Sequence, residues 1–371
     1  MSSGRNRAPF RAEHIGSLLR PPELRQAYEL RAAGTMHDAE FRAVEDRHIC
    51  DAIRFQEDIG LHSITDGEFR RTVYFGHFTR AVSGFRDMEA ALPFRDANGM
   101  PLTYLTPVVS GRLRRERGIA TDEFLFVKAH TKETPKATLP SPCSQHYFRW
   151  REGVSEAAYP DIEQFYADVA GIYREELRAL GEAGCSNVQL DAVSLPLLCD
   201  PALRGQVQER GYDPTALVDR YIELNNAALA ERPAGMRVGM HLCRGNNQGR
   251  WLGEGGYDWL AEEIFTRLDI DYFCLEYDSP RAGSFAPLRF MPKDKLVVLG
   301  LVSSKTPQLE SADDLRRRLD EAARHVPMER LCLSPQCGFA SNAPGNPLTE
   351  ADQRRKLELV VSVADSAWND A

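Results

Sequence analysis

Seven polar or reactive side chains stand at the carboxyl ends of six predicted strands: Ser17, Glu68, Asp191, His241, Cys243, Glu276 and Cys337. No other feature constrains the fold as strongly. Strand and helix signals alternate from Phe10 to Trp368 with short connections, a pattern that means parallel strands joined by helices. Ile162, Phe165, Tyr166, Val169, Ile172, Tyr173, Leu177 and Leu180 hold one face of a predicted helix between Asp161 and Gly184. A doubly wound sheet gathers only the strand ends near its switch point. A (β/α)8 barrel gathers all of them on one face. The expectation is therefore an α/β chain folded as a TIM barrel over residues 10–371, one domain with loop and strand insertions. Residues 1–9 are expected to be a disordered lead. At least nine strand candidates, Leu105–Gly111 and Phe124–Ala129 among them, compete for the eight positions of such a barrel, so at least one lies outside it.

Composition narrows the class. The chain of 371 residues is 43% hydrophobic and 27% charged, with a net charge of −8 and a pI near 5.7. That balance argues against nucleic acid or an anionic membrane as the main partner. No stretch approaches the roughly 18 apolar residues of a membrane span, and Met1–Arg7 has no apolar signal core. The eight cysteines are scattered without paired spacing, which fits a reducing cytoplasm where thiols serve packing or metal binding.

His241-Leu242-Cys243 closes an apolar run and opens into the loop Gly245-Asn246-Asn247-Gln248-Gly249. On a strand His241 and Cys243 point the same way. An imidazole and a thiolate side by side make half of a tetrahedral zinc site, although a buried cysteine beside a satisfied core histidine has the same spacing. Glu276 ends the next strand, and Cys337 ends the last. Either is readable alone as a solvated acid or a packed thiol, but four convergent ligand types favour metal. The set is spread over nearly a hundred residues (337 − 241 = 96), unlike the paired spacing of structural sites. One ligand is a displaceable carboxylate. Two thiolates and a carboxylate make zinc a weak Lewis acid but a good holder of an incoming thiol, whose free pKa of about 8.5 leaves it mostly protonated at neutral pH. A zinc hydrolase would favour histidine and carboxylate ligands. A non-catalytic zinc-binding barrel would have no exchangeable ligand.

His241-Leu-Cys243, Leu275-Glu276 and Pro335-Gln-Cys337-Gly338 resemble, in order, the zinc motifs of the cobalamin-independent methionine synthase family in its short, single-barrel branch. The resemblance runs from about Phe10 to Trp368. Full-length members carry a further N-terminal barrel. It implies a zinc-dependent methyltransferase of methionine biosynthesis, acting on homocysteine with 5-methyltetrahydrofolate or its polyglutamate as donor. It implies that Ile15, Gly16 and Ser17 hold the amino-acid part of homocysteine, and that Glu68 and Asp191 receive its ammonium, as an amino-acid substrate requires. Where the family places the histidine that protonates the leaving amine, this chain has Lys305, whose role as acid requires a lowered pKa. Trp150 and Tyr147 are weak candidates for stacking on a pterin, and the basic run Arg112–Arg117 for a polyglutamate tail. The alternative is another zinc-thiolate alkyltransferase of the family, for example one joining a thiol cofactor to an epoxide.

Overall fold

The computed structural model describes residues 9–368. The expectation of a disordered lead therefore concerns, up to residue 8, positions outside the described residues. The strands, in chain order, are β1 (Ser63–Ile64), β2 (Val82–Glu89), β3 (Phe94–Arg95), β4 (Pro101–Leu102), β5 (Leu105–Arg115), β6 (Thr134–Pro135), β7 (Ala137–Pro140), β8 (Asn187–Ala192), β9 (Arg237–Leu242), β10 (Tyr272–Glu276), β11 (Leu296–Val302) and β12 (Leu331–Pro335).

Strands β7 to β12 form one six-stranded sheet in sequential order, parallel throughout. β8, β10 and β12 are buried at every position, as parallel strands covered on both faces must be. Two short pairings extend the series. β6, one residue ahead of β7, pairs in parallel with β1, and Ala12 forms a parallel bridge to Leu333 of β12. Eight parallel segments thus follow one another from Ala12 round to β1. Among the described residues no ladder joins the Ala12 segment to β1, so the sheet as paired is not a closed ring. The two meet beyond their strands, where Leu18 N donates to Gly67 O at 3.1 Å.

The surplus strands lie outside this series. β2 and β5 form a long antiparallel hairpin, with β3 and β4 as a small pair inside it. Arg95 at its tip bridges to Trp251, which pins the hairpin to the loop after β9.

The apolar run Phe124–Ala129, expected as a strand, is instead within the helix Thr121–His130. Apolar runs this short do not separate strand from helix by periodicity. A distant side chain decides the outcome. The buried carboxylate of Glu176 accepts from Ile119 N, Ala120 N, Thr121 N and Thr121 Oγ1 at 2.8 to 3.0 Å, and so satisfies the free N–H groups of that helix start. The same carboxylate accepts from Arg115 Nε at 2.9 Å, fixing the end of the hairpin.

Candidate metal and substrate site

The strand ends converge on one open cavity of about 630 Å³. His241, in β9, Cys243, just past it, and Cys337, two residues past β12, present ligand atoms that all lie within 4.8 Å of one another. The Cys243 and Cys337 sulfurs are 3.8 Å apart. All three side chains are buried, and neither ring nitrogen of His241 is in full hydrogen-bond geometry, although the Cys337 thiol lies close enough to interact with the ring. An imidazole without a full hydrogen bond away from water costs desolvation energy, and a cation between the three groups would satisfy it. Gly245 N donates to Cys243 Sγ at 3.2 Å. The hydrogen bond from Cys243, with help from His241, holds the Cys337 thiol well below its usual pKa and pushes Cys243 up. The donor set fits a thiophilic divalent metal.

Glu276 is not part of this triad. It is fully buried at the end of β10. Its Oε2 accepts from Arg244 N at 2.7 Å, and its Oε1 lies 3.1 Å from an Arg281 nitrogen and 3.8 Å from Lys305 Nζ. Despite burial, Lys305, Arg244 and Arg281 hold its pKa down to about 2. Lys305 is itself buried outside the cavity lining. Burial pulls its pKa down, but Glu276 and Asp278 outweigh that and raise it, the opposite of what an acid role requires.

Across the cavity stand Ser17, Glu68 and Asp191. Glu68 has a positive φ of 59°, a conformation that costs a non-glycine residue about 1–3 kcal/mol. Asp66 Oδ1 accepts its N–H at 2.8 Å and Arg20 donates to its carbonyl at 2.9 Å, so the turn is held from both sides. The Glu68 carboxylate accepts from Thr138 Oγ1 at 3.0 Å and lies 3.3 Å from Arg71. Asp191 accepts from Gln189 Nε2 at 2.7 Å. Burial raises its pKa to about 7; His241 works against this and Glu68 adds to it. Burial also raises Glu68. The Ser17 hydroxyl has no partner. Gly16 touches the backbone of Gly338, where an added Cβ would sit 3.0 Å from Gly338 N, so the first and last loops meet at the site. Ile15 does not line the cavity: its side chain packs with Tyr272, Cys274, Val298 and Cys332, and its carbonyl accepts from Gln189.

The remaining wall is largely apolar, and most of it escapes a sequence reading. Val73, Tyr74, Phe75, Phe94, Tyr104, Tyr147, Phe148 and Leu252 form it. Besides Tyr147, the cluster Val73-Tyr74-Phe75, so soon after Glu68, is a local signal for it. The Tyr74 hydroxyl is buried without a partner. Tyr147 therefore faces the cavity, whereas Trp150 lines a separate apolar pocket, with Arg210 over its ring at 5.2 Å. The run Arg112–Arg117 is engaged elsewhere: Arg112 with Asp168, Arg115 with Glu176 and Arg117 with the Arg80 carbonyl.

Residues 10–366 match the model of the cobalamin-independent synthase catalytic domain. The uncharacterised protein YxjH of Bacillus subtilis is 39% identical over 98% of this chain and 96% of its own. A methionine synthase of Pyrococcus abyssi is 26% identical over 88% of this chain and 85% of its own. The crystal structure of a candidate vitamin-B12-independent methionine synthase from Listeria monocytogenes aligns with a TM-score of 0.74 at 32% identity, over 97% of this chain and 98% of that one. By sequence and by fold, the chain belongs to the cobalamin-independent methionine synthase family, whose catalytic domain it carries over residues 10–366.

Proposed function

We propose that this protein is a zinc-dependent S-methyltransferase that moves a methyl group from a folate-type donor, 5-methyltetrahydrofolate or its polyglutamate, to the thiol of homocysteine, giving methionine. The observation that carries the reading is one cavity lined both by the triad His241, Cys243 and Cys337, with its buried imidazole, and by two buried carboxylates, Glu68 and Asp191. We read the eight parallel segments as a closed (β/α)8 barrel and residues 10–371 as its single domain. We place the protein in the cytoplasm, a reading supported by its eight unpaired cysteines; no helix among the described residues is long and apolar enough to cross a membrane.

His241, Cys243 and Cys337 would hold the metal. Zinc bound there would keep a coordinated thiol ionised at neutral pH. The protein's own groups do the rest. Glu68 and Asp191 bind the substrate ammonium, and Ser17 with the Gly16 backbone faces its carboxylate. The apolar wall excludes water and faces the donor, Tyr147 being its candidate stacking ring. The sulfur attacks the methyl carbon, the methyl–nitrogen bond breaks, and the leaving amine must gain a proton. Lys305 as that donor is at odds with its raised pKa. A second reading, another thiol or alkyl donor, is favoured by one observation: among the described residues no lysine or arginine lines the cavity to meet an anionic tail.

Zinc-edge X-ray absorption with and without homocysteine tests the proposal. A change from two sulfur neighbours to three is the expected result. A two-sulfur spectrum unchanged at saturating homocysteine overturns it.

A pH dependence follows from the carboxylates. Ammonium binding needs Asp191 ionised, so on top of the rise produced by deprotonating the thiol, affinity for homocysteine should carry an added rise with pH that is complete above about 7. Asp191→Asn should remove that added rise and weaken binding about 10–100-fold above pH 7, the worth of a charge-assisted hydrogen bond. The same group acts on stability in the opposite sense. The native protein keeps this proton up to about pH 7, whereas an unfolded aspartate loses it near pH 3.9. Its contribution is therefore present at low pH and lost as pH rises through that window. Isothermal titration across pH 5.5–8.5 reads the affinity profile.

A further inference from the structure

Six aromatic side chains wall the cavity: Tyr74, Phe75, Phe94, Tyr104, Tyr147 and Phe148. They are not scattered. Tyr74 meets Phe75 at 5.1 Å between ring centres, Phe75 meets Phe148 at 5.2 Å, and Phe148 meets Tyr147 at 4.8 Å. Phe94 and Tyr104 form a second pair at 4.9 Å, and the Tyr104 hydroxyl interacts with Tyr147. Besides the metal triad, the charged groups on the same lining are the carboxylates Glu68 and Asp191. Among the described residues no lysine or arginine reaches it; Arg71, 3.3 Å from Glu68, stays off the lining. Aromatic faces attract cations, and carboxylates in a cleft with apolar walls focus a negative potential there. Both features suit a positively charged ligand, and neither suits an anionic one.

The chemistry of the leaving group points the same way. A neutral amine has to gain a proton as it leaves, and no cationic acid lines the cavity, because Lys305 lies outside it. Glu68 and Asp191 are taken by the ammonium of the acceptor, and His241 by the metal. A methyl onium carries its activating charge with it and leaves as a neutral molecule without a proton.

We propose a further activity for this cavity: it takes a small methylsulfonium compound as methyl donor, held by the aromatic wall. This rests on the zinc-thiolate chemistry of the proposed function and adds a donor class to it. The acceptor sulfur gives an electron pair to the methyl carbon. The bond from that carbon to the sulfonium sulfur breaks, and its electron pair stays with the leaving sulfur. A thiolate and a sulfonium become two thioethers, methionine and the demethylated donor, with no proton or oxidant required.

Two measurements on the zinc-loaded full chain test it. The first is calorimetric binding, at saturating homocysteine, of choline against 3,3-dimethylbutan-1-ol, its uncharged carbon isostere. Choline should bind about 10-fold more tightly, the scale of a desolvated cation over aromatic faces. Phe94→Leu combined with Tyr104→Leu, which keeps the wall apolar but removes two rings, should abolish most of that preference, and Tyr104→Phe should keep it. The second is turnover of trimethylsulfonium with homocysteine, which should release methionine and dimethyl sulfide in equal amounts.

The inference is overturned if choline gains nothing over its isostere, or if the double leucine variant keeps the preference. It is also overturned if trimethylsulfonium gives no methionine where 5-methyltetrahydrofolate does, and the proposed function then stands without it. If neither donor gives methionine and the zinc-edge spectrum does not respond to homocysteine, the proposed function falls and this activity with it. Both wild-type measurements decide the matter even where the leucine variant does not fold.

Discussion

Replacing Cys337 with alanine is expected to strip the protein of zinc and to lower methyl transfer by about 10²–10⁴-fold, the range of a lost proton-activation step. The thiol sits 3.8 Å from Cys243 and within the 4.8 Å grouping that includes His241, so its loss leaves two ligands where tetrahedral chemistry needs at least three from the protein. Without the metal the substrate thiol relies on its own ionisation, a few per cent at neutral pH. Metal content after dialysis and the rate of methionine formation are the two readouts. Cys332→Ala is the control: that thiol packs between β-strands with Ile15 and Tyr272 and should leave zinc in place. Stoichiometric zinc in Cys337→Ala would remove the site from contention.

The largest effect on stability is expected from Arg71→Met. The Arg71 guanidinium is 2% exposed. It donates to Glu123 at 3.0 and 2.6 Å and to Thr138 Oγ1 and O at 2.9 and 3.1 Å, and lies 3.3 Å from Glu68. Methionine fills much of the space but leaves two buried carboxylates without their cation. Breaking a buried pair in this way costs about 3–5 kcal/mol, and denaturant midpoints at pH 8 should show it. Burial already lifts Glu123 to about 7 against the pull of Arg71. The deficit should therefore narrow below pH 7, where Glu123 carries a proton. Glu68 loses one of its supports as well, so homocysteine affinity should fall with stability. A variant within 1 kcal/mol of wild type would mean that water reaches these groups.

The parts of the molecule legible in the sequence are those set by local periodicity and by motif. Parallel strands joined by helices follow from alternating patterns such as Ile162–Glu182, whose observed bounds fall within the predicted stretch and whose N-cap is Asp161. The convergence of Ser17, Glu68, Asp191, His241, Cys243 and Cys337 on one cavity followed from their placement at strand ends. What was not legible depends on contacts between distant residues. The helix Thr121–His130 owes its start to Glu176, more than fifty residues away. Phe94 and Tyr104 reach the cavity because a hairpin folds back and bridges Trp251. The orientation of Glu276 is set by Arg281 and Lys305, and position at a strand end says nothing of which neighbours a carboxylate prefers.

The contact between the Ser17 and Gly338 loops bears on how the protein is made. Phe339 N donates to Ser17 O at 2.7 Å, and Arg20 donates to Ala340 O across 320 residues of sequence. Synthesis proceeds at about 5–20 residues per second, so the loop carrying Ser17 is exposed for some tens of seconds before its partner leaves the ribosome. The chain therefore cannot assemble its substrate pocket in stages during translation, and a truncated product ending before Cys337 lacks both the last metal ligand and the surface against which the first loop is set.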